Sequence, residues 1–359
     1  MNFDLSEEQE MFRASVERFA APIDIESRRK LRLSPTGYDR ERWKALVELG
    51  LVALAASEDA GGMGGSAVDL ALVLEAIGKA NSPDPLLEHG VLPALLLEGH
   101  ASLEPIVAGE RIATFAWAER SQRHSLKAVG MKAEASHNGF TITGEKTFVL
   151  GSLLADMFIV TASLDGETAI FAIPSDAQGV EARPYRLTDG SVAGELKLTR
   201  VAVGQEDRLD HDAASLERIV AAVRVCSAAE MVGLGQRLLD DTLEFVRSRE
   251  QFGVAIGTFQ ALQHRLVEAY AKLEQSRSML YRAALGDRSD SMKWVRTAAG
   301  AKAFITENVE AISREAVQMH GGMGITDELA IGHAMKRVMV LGRLFGDTDS
   351  ALAEYAEAA

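Results

Sequence analysis

The residues that most readily do chemistry here are glycine-rich turns, a lone cysteine, a small cluster of cations and scattered histidines. The run from Ala60 to Gly65, AGGMGG, is glycine-rich enough to cradle a phosphate. No Lys-Ser/Thr follows it and no strand-turn-helix context frames it, so a flexible turn is expected. Arg120, Arg123 and His124 form the one local basic cluster, where phosphates could sit, although a solvated loop is the plainer reading. His264 and His320 stand at no metal-ligand spacing from Cys or carboxylate, which favours packing or solvent roles over ligation. Cys226, the single cysteine, lies in an apolar helical run with no local His and reads as an inert small hydrophobe. Taken alone, Arg249 reads as a solvated helix end and Gly321-Gly322 as a helix C-cap.

With 359 residues and 47% hydrophobic content, the chain can bury a large core, and two or three folding units are expected. One cysteine rules out an intrachain disulfide framework and fits a reducing compartment. Met1 to Gln9 shows neither a basic n-region nor an apolar h-region, and no stretch reads as a membrane span, so a cytoplasmic protein without membrane insertion is expected. Acidic residues outnumber basic ones by 52 to 38, and the net charge of -14 opposes nonspecific binding to nucleic acid or anionic lipid. Any anionic ligand must therefore be held by a local patch.

Ser6 with Gln9 three residues on is a capping box, and Met11, Phe12, Val16 and Phe19 then recur at helical spacing. Trp43, Leu46 and Val47 mark a second helix that Gly50 can end. Ser66 with Asp69 caps another through about Ala80, and helix resumes from Leu86 to Gly99 after Pro83 and Pro85. From Arg111 to about Gly204 the pattern becomes short β-type runs: Ala113–Ala118, Phe140–Ile142, Met157–Thr161, Ala169–Ile173 and Glu195–Leu198. Turns fall at His137-Asn138-Gly139, Asp165-Gly166 and Asp189-Gly190. Beyond Asp212, periodic stretches run Ser215–Arg249, Gly257–Leu285, Ser291–His320 and Asp327–Phe345, as in an antiparallel bundle. The expected class is α+β: an N-terminal helical domain (1–110), a middle β-barrel-like domain (111–212) and a C-terminal four-helix bundle (213–359).

That order, together with FDLSEEQEMF, LGLVAL followed by GGMGG, ITGEKTFV (Ile142 to Val149), SREQFG (Ser248 to Gly253) and AVQMHGGMG (Ala316 to Gly324), resembles the acyl-CoA dehydrogenase family over the whole chain. Two segments, IGTFQALQHR (Ile256 to Arg265) and KRVMVLGRLFGD (Lys336 to Asp347), most resemble the small subunit of bacterial pimeloyl-CoA dehydrogenases. The resemblance implies FAD as cofactor and an acyl-CoA substrate. It also implies a homo- or hetero-oligomer with an acyl-CoA dehydrogenase homologue, and electron-transfer flavoprotein as partner if the chain is catalytic. Carried over residue by residue, Arg249 would meet the FAD pyrophosphate, with Phe252 and Gln260 beside it. Gln318, Gly321 and Gly322 would let backbone approach the adenosine portion, in a site shared between subunits.

Such chemistry needs a carboxylate at the substrate α-carbon, donors to polarise the thioester carbonyl, and a clamped flavin. Where the family reads Thr-Glu-Pro and then Gly-Ser-Asp, this chain has Ala118, Glu119 and Arg120, then SQRHS. Where the family reads Trp-Ile-Thr it has Phe148, Val149 and Leu150, which removes an indole wall and a hydroxyl facing the flavin. The family's glutamate position falls on Phe345, and the alternative base position on the first bundle helix falls on Val223, followed by Arg224. Asp347 and Glu119 are the nearest substitute bases. Two main readings follow: a working acyl-CoA dehydrogenase with a displaced base, acting on a medium-chain or dicarboxylic acyl-CoA, or a non-catalytic subunit that completes a partner's FAD site. A flavin monooxygenase or oxidase on the same fold is a third.

Overall fold

In a computed structural model, residues 5–20, 23–122 and 124–357 are described. Arg123 and the first two residues of FDLSEEQEMF lie outside the described residues. Chain contacts group into two compact units: Met1–Lys30, Ser66–Pro83 and Arg224–Ala359 form one, Leu31–Gly65 and Asp84–Val223 the other.

The helical elements before the sheet are α1 (Glu7–Phe19), α2 (Ile25–Leu33), α3 (Arg40–Glu48), α4 (Ala67–Lys79), α5 (Leu92–Leu96) and α6 (Leu103–Val107). Both expected capping boxes form: the Ser6 hydroxyl accepts from Gln9 N and the Ser66 hydroxyl from Asp69 N, while each partner side chain reaches back to the cap backbone. AGGMGG is a turn, with Gly61 and Gly64 in the left-handed region.

The sheet unit holds β1 (Ala113–Ala116), β2 (Lys132–Ser136), β3 (Gly139–Leu150), β4 (Met157–Leu164), β5 (Glu167–Pro174), β6 (Val180–Arg186), β7 (Val192–Gly204) and β8 (Arg208–Leu209). They form an eight-stranded sheet in the order β6-β7-β3-β2-β4-β5-β8, with β1 parallel to β4. Alternation places Phe140, Ile142, Phe158, Val160, Phe171, Ile173, Leu196 and Leu198 in one buried cluster. Asp165 and Gly166, both at positive φ, make the two-residue turn between β4 and β5 that Asp-Gly favours.

The helical unit is built on α7 (Ala213–Ser248, from Arg224 on), α8 (Gln260–Ala284), α9 (Ser291–His320), α10 (Ala330–Leu341) and α11 (Thr348–Glu357); between α7 and α8 lie β9 (Glu250–Gln251) and β10 (Val254–Ala255). Small residues bring helices close. A Cβ on Gly78 of α4 would strike the Glu230 carbonyl of α7, and one on Gly235 would press on Leu273 of α8 at 3.1 Å. The helix α7 is long and apolar enough to cross a membrane, contrary to the expectation that no stretch would be, but 89% of its most apolar window is buried within the protein. It is a core helix.

Candidate active site

The last turn of α7 and the end of α9 meet where Phe245 stacks on His320, centroids 4.2 Å apart and planes at 25°. His320 Nδ1 lies 2.8 Å from Ala316 O, and because a carbonyl only accepts, that nitrogen carries the proton. This contact sets the Arg249 turn and the Gly321-Gly322 turn at the same end of the bundle. After Arg249 the chain doubles back through β9 and β10, with Phe252 and Gly253 as a two-residue loop at φ 55° and 82°. A phenylalanine at positive φ is strained, and its side chain is 92% exposed, with an edge-on contact to Phe259 at 6.2 Å.

Gln260 opens α8 and is exposed, as is Gln318 in the last turn of α9. Gly321 sits at φ 63°, and a Cβ on it or on Gly322 would meet nothing within 4 Å, so the backbone there is open to an approaching ligand. Arg249 is exposed and makes no ion pair with any described residue. A guanidinium fork, an exposed ring, two amides and an uncovered backbone turn at one end of a bundle suit a ligand with phosphate and aromatic parts.

The turn between α10 and α11 is built the opposite way. Phe345 is 2% exposed and held at φ 54°, followed by Gly346 at φ 118°. Arg224 of α7, itself 5% exposed, donates through Nε to Phe345 O at 2.8 Å and through both terminal nitrogens to Glu354 of α11 at 2.5 and 2.8 Å. Lys302 of α9, fully buried, donates to Leu341 O. Burial, reinforced by the nearby Arg224 and Arg343 charges, pulls the Lys302 ammonium down to about 7. Asp347 accepts from Ser350 N at 2.9 Å, so its carboxylate caps the start of α11. Val223 is buried and apolar. Phe345 and Val223, where the resemblance puts a base, thus offer hydrocarbon only.

In the sheet unit, Glu119 is buried and accepts from Gly130 N (2.6 Å), Met131 N (3.1 Å), Val129 N (3.2 Å) and Lys146 Nζ (2.8 Å). Lys146 Nζ also donates to Trp117 O and Thr161 Oγ1, at 3.1 and 2.8 Å. Burial opposes the Glu119 charge, but the hydrogen bond from Lys146 and those from Gly130 and Met131 outweigh it and hold the carboxyl below its usual range. Burial likewise pulls Lys146 down to about 8, against the pull of Glu119. The carboxylate is saturated as the tie for the 129–131 segment, and a base so engaged is a poor proton acceptor. Val149 and Leu150 are buried, and a bulge between Lys146 and Val149 puts Phe148 at φ 55°.

Family models describe the acyl-CoA dehydrogenase N-terminal domain over residues 6–99, the middle domain over 114–201 and the C-terminal domain over 214–359. The chain belongs to the acyl-CoA dehydrogenase family. It is 32% identical to acyl-CoA dehydrogenase IpdE2 of Mycolicibacterium smegmatis, over 95% of this chain and 96% of that one. Among solved structures it is similar to the ChsE4-ChsE5 complex from Mycobacterium tuberculosis, with TM-score 0.89, 26% identity and 99% and 98% of the two chains covered. It is also similar to PigA with FAD and proline, with TM-score 0.90, 26% identity and the same shares covered.

As an acyl-CoA dehydrogenase fold, the protein has a helical N-terminal part, a β middle and a helical C-terminal part, in agreement with the expected class. The structure gathers Arg249, Phe252, Gln260, Gln318, Gly321 and Gly322 toward one exposed end. It gives Asp347 a capping role and Glu119 a structural one. Lys146, Lys302 and Glu354 were not anticipated. For the two lysines the visible signal was a cation set within the segments ITGEKTFV and GAKAFI.

Proposed function

We propose that this chain is the non-catalytic half of a heteromeric FAD-dependent acyl-CoA dehydrogenase, completing a partner's FAD site while the partner supplies the base for α,β-dehydrogenation of an acyl-CoA thioester. One observation carries the reading: Phe345, where the resemblance puts the base, is buried and held at positive φ, while Arg249 is exposed with no ion pair among the described residues and a Cβ on Gly321 or Gly322 would meet nothing within 4 Å. Arg249 would take the pyrophosphate, Phe252 and Gln260 would flank it, and Gln318 with the open glycine backbone would receive the adenosine portion. When bound, FAD supplies the hydride acceptor. In this chain no described carboxylate sits at Phe345 or Val223 to move a proton, and removal of such a base alone forfeits ~10²–10⁴-fold in rate.

A heteromeric arrangement is supported by the likeness to the ChsE4-ChsE5 complex and to the Tcur3481-Tcur3483 steroid enzyme, the latter with TM-score 0.87 and 25% identity. The acyl group would be medium-chain or dicarboxylic, electrons would leave through electron-transfer flavoprotein from the partner's site, and the assembly would be cytoplasmic. The reading keeps domains at 1–110, 111–212 and 213–359, supported by family matches that each fall inside one of them. The test is reconstitution with a glutamate-bearing homologue. FAD retention and acyl-CoA oxidation that appear only on mixing support it; oxidation by this chain alone, or oxygen uptake in place of electron transfer, sinks it.

A further inference from the structure

The helix α11 has little apolar burial to hold it. Of its ten residues only Ala351 is buried, and Leu352 faces solvent. A helix this short is marginal by itself, so its place depends on particular contacts. Tyr355 lies on the surface of α9, where a Cβ on Gly300 would fall 2.7 Å from its ring. The Arg296 guanidinium sits 4.8 Å from the centre of that ring, and its Nε donates to Tyr355 O at 2.8 Å. The strongest tie is the two-pronged bond from buried Arg224 to Glu354, which is 44% exposed.

Arg224 also holds the turn. Its Nε fixes Phe345 O, and a Cβ on Gly346 would lie 3.3 Å from its Nη2 and 3.1 Å from Ser350 Oγ. A bulky residue in the left-handed region persists only where surrounding contacts fix it. Those contacts include Arg224 on the turn and Lys302 on Leu341 O. One arginine thus joins α7, the Phe345 turn and α11, and the carboxylate of Glu354 fixes which way its fork points.

We propose that α11 is a latch: Glu354 orients Arg224, Arg224 pins the Phe345 turn, and the pinned turn keeps this chain's own acyl site closed, so that acyl-CoA binds only at the partner's site. The proposal rests on the reading of this chain as the non-catalytic half. It adds that the silent site is shut and not merely short of a base.

The experiment uses the full chain and its Glu354→Gln variant, with Glu354→Asp to keep the charge on a shorter arm and Leu352→Ala as a surface control on the same helix. Amide hydrogen exchange over 342–351 and calorimetric titration with octanoyl-CoA are measured on each. Glu354→Gln should exchange about 10- to 100-fold faster at Ser350 and Ala351 and gain octanoyl-CoA binding, with Glu354→Asp between it and the parent and Leu352→Ala unchanged. Unchanged protection in Glu354→Gln, or octanoyl-CoA binding by the parent as tight as by the variant, overturns the latch. Flavin reduction by the parent chain alone would instead overturn the non-catalytic reading, so the two failures are told apart.

Discussion

Around Phe345 the charged groups answer one another: Arg224 meets Phe345 O and Glu354, Lys302 meets Leu341 O, and Arg337 meets Glu230 at 2.7 and 3.1 Å. Around Arg249, within the same helical unit, a guanidinium, two side-chain amides, an exposed ring and an uncovered glycine turn are left to solvent. The first region contributes to folding. The second contributes almost nothing to the folded chain, and Phe252 there is held in a strained conformation. A surface of that composition gains its free energy on meeting a ligand, so substitutions in the two regions should separate stability from binding.

The largest effect is expected in the closed region. Phe345→Ala should destabilise the chain by ~3–5 kcal/mol, read as a shift in the denaturation midpoint, because it empties a buried aromatic site. A comparable loss tests the sheet unit. Lys146→Met removes the ammonium on Glu119 and leaves a buried carboxylate short of a donor, which should cost ~3–5 kcal/mol.

In the open region, Arg249→Ala should leave the melting temperature of the isolated chain unchanged while weakening FAD retention in the reconstituted complex about 10- to 100-fold, read by flavin absorbance after dialysis. A fall in stability with no change in flavin would erase the contrast between the regions. Lys302 adds a pH signature. With its folded value near 7, below the 10.5 of the unfolded chain, the folded state holds fewer protons between those values, so stability should rise with pH there. The slope contributed is at most ~1.4 kcal/mol per pH unit. Lys302→Met should abolish that contribution, as seen in urea midpoints at pH 7 and 9. The smallest effect should come from Phe252→Gly, which relieves the positive φ and should stabilise the isolated chain by about 1 kcal/mol while lowering flavin retention in the complex.

Much of the fold was legible because its signals are local. The capping boxes at Ser6 and Ser66, the Asp165-Gly166 hairpin and the start and end of α9 lie where spacing puts them. Strands β2 and β6 escaped because KAEAS and VEARPYR carry too few apolar residues, and most of their residues are exposed. The stretch expected to be helical through Phe345 ends at Leu341, since Phe345 and Gly346 turn through positive φ and α11 begins afresh at Thr348. The residues proposed to hold the cofactor could be named in advance from short motifs. The roles of Glu119, Lys302 and Glu354 could not, because their partners lie far along the chain: Met131 and Lys146 for the first, Leu341 and Arg224 for the others.

On the proposed non-catalytic reading, this chain holds no competent catalytic centre of its own. Purifying it alone, recording absorbance in the flavin band and titrating it anaerobically with straight-chain and dicarboxylic acyl-CoAs tests that most directly. A colourless protein, or flavin that does not bleach, is expected. Stoichiometric flavin reduced by an acyl-CoA would contradict it and place an unrecognised base in the chain.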